Sequence, residues 1–151
     1  MTPNDAPLQQ ALSFLPHGAE FRFLDRLIRL DPGRGGEGEY RVRCDEVVLR
    51  GHFPGNPMFP GVLLIEAAAQ LAGVVAQSDP AIQPLRGLKL TAVRRVRILG
   101  SARPGEVIKL EAKVSGRMAH LVQASVAAFV GERTVMQGEL TLSGEAQNPS
   151  N

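Results

Sequence analysis

The stretch from Pro60 to Gln77 constrains the fold more than any other part of the chain. It reads Pro-Gly-Val-Leu-Leu-Ile-Glu-Ala-Ala-Ala-Gln-Leu-Ala-Gly-Val-Val-Ala-Gln. A helix of that composition is apolar nearly all round, so it must be buried on most sides. Its small face, Ala67, Ala68, Ala69, Ala72 and Gly73, lets other backbone come close. Pro60 stands where a first-turn proline belongs, and Asp79-Pro80 closes the helix. Whatever else the chain forms has to cover this one element.

The covering material reads as strands. Before the helix, apolar residues at 8, 11, 12 and 15 mark one face of a short helix over Leu8–Leu15, ended by Pro16-His17-Gly18-Ala19. Phe21 to Leu30 reads as a strand, Asp31 to Gly36 as a turn cluster, and Glu39 to Arg43 as the returning strand. After the helix come Leu88 to Leu99, then Val107 to Ser115, with Ile108, Leu110, Ala112 and Val114 on one face and Lys109, Glu111 and Lys113 on the other. Gly116-Arg117-Met118 reads as a turn, His120 to Val130 as a strand, Gly131-Glu132 as a hairpin turn, and Thr134 to Leu142 as the last strand. Long strands joined by short turns imply an antiparallel sheet. The expectation is one α+β domain over residues 1–151, a curved sheet wrapped around a central helix, with residues 1–7 and 145–151 as flexible tails. A sheet on one side leaves part of the helix open, so an oligomer is expected.

Composition narrows the function classes. The chain has 151 residues, 44% hydrophobic and 21% charged, which is ordinary for a soluble domain. Its net charge of +2 does not call for a polyanionic partner. Six Phe, one Tyr and no Trp leave little to stack nucleic-acid bases on, so no nucleic-acid partner is expected. A lone cysteine, Cys44, rules out an intrachain disulfide and a cysteine-based zinc cluster; it reads as a buried small apolar residue. The first residues lack a basic start and an apolar core of the secretory kind, and no apolar run reaches the ~20 residues that span a bilayer. A cytoplasmic protein without membrane partner is the expectation.

The chemistry lies at the entry to the helix. Gly51-His52-Phe53-Pro54-Gly55-Asn56-Pro57-Met58-Phe59-Pro60-Gly61 holds three prolines that fix φ and three glycines that supply unusual backbone. Such a loop is stiff and holds an imidazole, His52, in one place. Glu66, 14 residues later, sits amid Val62-Leu63-Leu64-Ile65 and Ala67-Ala68-Ala69. A carboxylate there is costly unless partnered or protonated, and burial is expected to raise its pKa. Gln70, one turn on, shares its face and is placed to orient it. The N–H groups at Gly61 and Val62 offer partial positive charge to a carbonyl oxygen. Taken singly, a loop histidine or a lone Glu in an apolar helix is more often structural than catalytic. Together they make an acid–base pair the better reading. His17 and His120 read as structural.

These residues, Gly51-His52-Phe53-Pro54-Gly55-Asn56-Pro57 followed by Pro60-Gly61-Val62-Leu63 and Glu66-Ala67-Ala68-Ala69-Gln70, resemble the FabZ-type 3-hydroxyacyl-[acyl-carrier-protein] dehydratases of the hotdog fold. The likeness extends more loosely to Leu15-Pro16-His17, Phe23-Leu24-Asp25-Arg26 and Arg103-Pro104-Gly105-Glu106. It implies dehydration of (3R)-hydroxyacyl thioesters on acyl carrier protein, in fatty-acid-type biosynthesis, without metal or other cofactor. It implies a homodimer, with room for a trimer of dimers, in which His52 of one protomer works with Glu66 of the other. It also implies that the Gly61 N–H polarises the thioester carbonyl, with Val62 and Gln70 in support. Phe53, Met58 and Phe59 are the expected acyl tunnel. The chain departs from the pattern at Gly18-Ala19-Glu20-Phe21, at Leu99 to Arg103 and at Met58-Phe59, which bears on substrate length and carrier recognition. A basic run of Lys89, Arg94, Arg95 and Arg97 would steer an acidic carrier; a solvated strand face is the plain alternative. The competing activities are a hotdog thioesterase and a non-catalytic acyl-binding subunit. A FabA-type isomerase usually carries Asp at the helix position, so Glu66 favours the plain dehydratase.

Overall fold

The strands Val107–Met118 and Leu121–Val130 alternate in the way a sheet with one covered face requires, whereas the edge strand Arg86–Ile98 has no buried residue. In Val107–Met118, Ile108, Leu110 and Ala112 are buried while Lys109 and Lys113 are exposed. The structure, a computed structural model, describes residues 5–147. Its elements are α1 (Asp5–Leu12), a 3₁₀ turn (Ala19–Phe21), β1 (Arg26–Asp31), β2 (Gly35–Arg41), α2 (Val47–Gly51), α3 (Gly61–Gln77), β3 (Arg86–Ile98), β4 (Val107–Met118), β5 (Leu121–Val130) and β6 (Arg133–Glu145). The strands form one six-stranded antiparallel sheet in the order β1-β2-β4-β5-β6-β3. The helix α3 lies across it, packed on β2 through β6. This is the α+β hotdog architecture expected from the sequence. Among the described residues no helix is long and apolar enough to cross a membrane.

The core is the α3–sheet interface. Leu64, Ala67, Ala68, Leu71, Ala72 and Val75 of α3 have no exposed surface, and they meet Ile108, Leu110, Val122, Ala128 and Met136, which have none either. Each large apolar side chain buried this way contributes roughly 1.5–3 kcal/mol. The helix approaches β2 closely because β2 is glycine-rich: a Cβ on Gly36 would lie 3.1 Å from Val75 Cγ2. The opposite face of α3 stays open in the single chain. Val62 is 72% exposed, and Leu63, Ile65, Glu66 and Gly73 are half-buried.

Several sequence expectations shift. Residues 5–7, expected in a flexible leader, form the first turn of α1, and Glu145 still belongs to β6; residues 1–4 and 148–151 lie outside the described residues. The expected strand from Phe21 begins only at Arg26. The backbone of Phe21 and Phe23 is bonded to the Gln70 side chain instead of a ladder. β2 starts at Gly35: of the glycines read as a turn, Gly35 lies against the β4 backbone and Gly36 beneath Val75 of α3, and both are strand residues. The turn is narrower, at Pro32-Gly33-Arg34, with Gly33 at φ +76°. Gly116-Arg117-Met118 continues β4, and the chain reverses at Ala119-His120. The short helix α2 has no periodic signal of its own length. Pro60 is the residue before the first helical one, extended at ψ 134°. Cys44 is exposed rather than buried, because it lies in the surface link between β2 and α2.

The edge strand β3 is held to β6 with an irregularity between Arg94 and Arg97. There Val96 folds over Gly138, where a Cβ would fall 2.8 Å from the Val96 Cα. No rotamer change relieves a clash with backbone. Gly138→Ala is therefore expected to cost on the order of 1–3 kcal/mol and to lower the thermal midpoint by several degrees. A midpoint equal to wild type in a differential scanning experiment would show that β3 moves freely at that point.

Candidate active site

The loop that carries His52 is tied down along its length. Phe53 and Asn56 exchange backbone hydrogen bonds of 3.1 and 2.9 Å, and Met58 N–H donates to the His52 carbonyl at 2.8 Å. Phe59 N–H donates to the Ala102 carbonyl at 2.7 Å, and Arg103 reaches the Asn56 side chain at 2.9 Å. Phe59 itself is 1% exposed and packs against Phe23 and Tyr40 at centroid distances of 5.7 and 5.6 Å. The Tyr40 hydroxyl donates to Glu46, which ties α2 to β2 at the start of the same segment. Burial, and then the neighbouring Glu46, push the Tyr40 pKa well up, so the hydroxyl stays a donor.

His52 is half-buried, and its Nδ1 lies 3.0 Å from the Met58 carbonyl. A carbonyl only accepts, so Nδ1 carries the proton in the neutral ring and Nε2 is left with the lone pair. Phe53 stacks on the ring at 4.2 Å. The loop thus delivers one basic nitrogen in a set orientation.

Glu66 is built from α3. Gln70, 2% exposed, uses every polar atom it has. Its Oε1 accepts from Phe23 N–H at 2.8 Å, while its Nε2 donates to the Phe21 carbonyl at 2.9 Å and to Glu66 Oε1 at 3.2 Å. His17 Nε2 comes within 3.2 Å of the same oxygen. Among the described residues no protein group bonds Glu66 Oε2, which leaves that oxygen for a ligand. The Glu66 side chain is 21% exposed in the single chain, so the deep burial expected from its apolar neighbours is only partly met. At the head of α3, Leu63 and Leu64 N–H both bond the Pro60 carbonyl, at 2.9 and 3.3 Å. The N–H groups of Gly61 and Val62 stand ahead of that ladder.

Glu66 opens into an apolar cavity of about 320 Å³ that runs beside α3 towards Leu90 and Gln77. His52 does not line it. The cavity of one chain therefore holds Glu66 beside His17 but not His52. The expected tunnel residues are elsewhere: Phe59 is core, Phe53 is half-exposed beside His52, and Met58 serves through its carbonyl. Aromatic and sulfur side chains next to a motif suggested an apolar lining, but the loop turns Phe59 inward to anchor itself. Arg94, Arg95 and Arg97 are all exposed on the edge strand β3. His120 is exposed at the β4–β5 turn. His17, read as structural, faces Glu66; its sequence signal is the looser likeness over Leu15-Pro16-His17.

A family model described as a FabA-like domain matches residues 15–139, which include the loop, α3 and the sheet. This chain belongs to the FabA-like family. Among its FabA-like relatives, the "3-hydroxyacyl-[acyl-carrier-protein] dehydratase FabZ" of Caldicellulosiruptor saccharolyticus is 33% identical over 129 residues, 85% of this chain and 91% of that protein. The protein of the same name from Moorella thermoacetica is 36% identical over 126 residues, 83% and 87% of the two chains. Among solved structures, the dehydratase heterocomplex ApeI:P of Xenorhabdus doucetiae superposes with a TM-score of 0.76 at 18% identity, covering 91% of both chains. Zebra fish thioesterase superfamily member 2 superposes with a TM-score of 0.68 at 16% identity, covering 97% of this chain and 99% of that one. At such identities these two likenesses show the shared fold.

Gln70 is the structural centre of this FabA-like site. Gln70→Leu keeps the volume but strands the buried Phe23 N–H and the Phe21 carbonyl. It is expected to cost about 2 kcal/mol or more, read as a lower midpoint in denaturant unfolding. A neutral outcome would mean that water replaces the amide.

Proposed function

We propose that this protein dehydrates (3R)-hydroxyacyl thioesters on acyl carrier protein to trans-2-enoyl thioesters, as a cytoplasmic homodimer in fatty-acid-type biosynthesis. The observation that carries the reading is the division of the pair. Glu66 is oriented by Gln70 at the mouth of an apolar cavity, while His52, with Nε2 free, sits outside that cavity in the same chain. A second copy supplies the missing half. The open face of α3 around Val62 and the unpaired edge of β3, with Val93 and Ile98 nearly half-exposed, are surfaces that an isolated chain leaves uncovered.

The steps follow from the groups. The acyl chain enters the cavity and the thioester carbonyl oxygen meets the Gly61 N–H at the start of α3, with Val62 beside it. Withdrawal of charge onto that oxygen acidifies the C2 proton. His52 Nε2 takes that proton. The C2 electron pair forms the double bond to C3 as the C3–O bond breaks, and protonated Glu66 gives its proton to the departing hydroxyl, which leaves as water. Return of the proton from His52 to Glu66 resets the pair. Glu66 acts from Oε2, since Gln70 and His17 hold Oε1. The exposed guanidinium groups of Arg94, Arg95 and Arg97 give β3 a basic edge for an acidic carrier.

His52→Ala and Glu66→Gln are each expected to lower the dehydration rate by about two to four orders of magnitude. Unfolding and refolding the two inactive proteins together should restore about a quarter of the wild-type sites under random pairing. Mixtures as inactive as the separate variants would sink the shared-site reading. Replacing Arg94 and Arg97 by Glu should raise KM for the carrier-bound substrate about tenfold at low salt and leave KM for a pantetheine thioester unchanged. Equal effects on both substrates would remove the carrier role from this edge.

A further inference from the structure

One buried nitrogen beside the Glu66 carboxyl is left over by the steps above. Among the described residues no group bonds His17 Nδ1, and that atom is closed off from solvent. The ring lines the Glu66 cavity, lies against Phe21 at a centroid distance of 6.1 Å, and brings Nε2 to 3.2 Å from Glu66 Oε1.

The hydrogen-bond directions follow from the backbone inward. Phe23 N–H can only donate, so the Gln70 atom 2.8 Å from it is the amide oxygen. The Gln70 nitrogen therefore faces the Phe21 carbonyl and Glu66 Oε1, and it donates to both. Oε1 is thus held as an acceptor. The His17 nitrogen beside it is then a donor, with the proton of the neutral ring on Nε2. The buried Nδ1 agrees. With the proton on Nε2 the bond to Oε1 is made and Nδ1 is a bare lone pair. With the proton on Nδ1, a buried N–H has no acceptor and the bond to Oε1 is lost as well.

Two donors on Oε1 have a chemical consequence. When Glu66 holds a proton, Oε2 carries it, the oxygen that no described residue bonds. When that proton leaves, both bonds to Oε1 become charge-assisted and strengthen. Interactions that strengthen along the reaction lower its barrier.

We propose that His17 is a positioning residue for Glu66: its Nε2–H, beside the Gln70 amide, keeps the transferable proton on Oε2 and stabilises the carboxylate that forms as the proton goes to the departing hydroxyl. This rests on the dehydratase reading above and adds His17 to that site.

The test compares wild type, His17→Phe and His17→Gln, each alone and combined with Glu66→Gln, on a 3-hydroxybutyryl pantetheine thioester. Phe keeps a ring against Phe21 and removes the donor; Gln places an amide N–H where Nε2 stands. His17→Phe is expected to lower kcat by about tenfold to a hundredfold with KM little changed, and His17→Gln to recover most of that loss. In the Glu66→Gln background the penalty of His17→Phe is expected to shrink to within about twofold, because His17 acts through the carboxyl. Equal penalties in both backgrounds, or a His17→Phe protein with wild-type kcat, would overturn the proposal. A second readout does not need turnover. The chain has three histidines, and in nitrogen-15 NMR the His17 signal is the one absent from either variant. At about pH 8.5, where an imidazole is ordinarily neutral, its proton is expected on Nε2. A proton on Nδ1 would overturn the proposal whatever the rates. A wild type with the Nε2 proton in place that dehydrates no thioester overturns the dehydratase reading instead.

Discussion

The burial of α3 against the sheet is the interaction on which everything else in this protein rests. One long apolar helix supplies most of the core on its side, and the strands of a single sheet supply the other. The close approach that this needs is provided by small groups at the contact: Ala67, Ala68 and Ala72 on the helix, and the glycines of β2 beneath it. Because the sheet covers only one side, the remaining face of α3 carries what the core does not take. That face holds Glu66 and the exposed Val62. Site and core are thus two faces of the same cylinder, and the packing that stabilises one aims the other.

Polar groups at this site are held by saturation. Gln70 is nearly fully buried, and both ends of its amide are in use, on the Phe21–Phe23 backbone and on Glu66. The Glu66 carboxyl is therefore oriented by a group that also holds the Phe21–Phe23 segment to α3. His52 is fixed on the same principle by a different device, a carbonyl facing Nδ1 from within its own loop. Among the described residues both arrangements leave one atom of each side chain, Nε2 of His52 and Oε2 of Glu66, without a protein partner. A second buried amide, Gln77, is saturated in the same way by the backbone of Leu85.

Much of this was legible before the structure. The apolar run from Gly61 to Gln77 is a helix with those limits, and the alternation in β4 reads correctly because period-two patterning reports a half-covered sheet directly. The errors have a common cause. Gly35 and Gly36 look like turn residues by composition, but they are strand, with Gly35 against the β4 backbone and Gly36 beneath Val75 of α3. Phe21 to Phe23 look like strand by composition, but a helix side chain has taken their hydrogen bonds. Phe59 was read as tunnel and is core, since a loop position carries no period to say which way a side chain turns.

Local order therefore determined the central helix and the antiparallel strands that cover it, and singled out His52, Glu66 and Gln70 as candidates, because each is written in spacing along one segment. Tertiary structure decided that His17 joins Gln70 on one oxygen of Glu66, that the Gln70 amide takes the backbone of Phe21 and Phe23, and that the cavity holding Glu66 and His17 is not lined by His52 of the same chain. Those facts arise where segments distant in sequence meet, and a contact of that kind leaves no pattern in either segment alone.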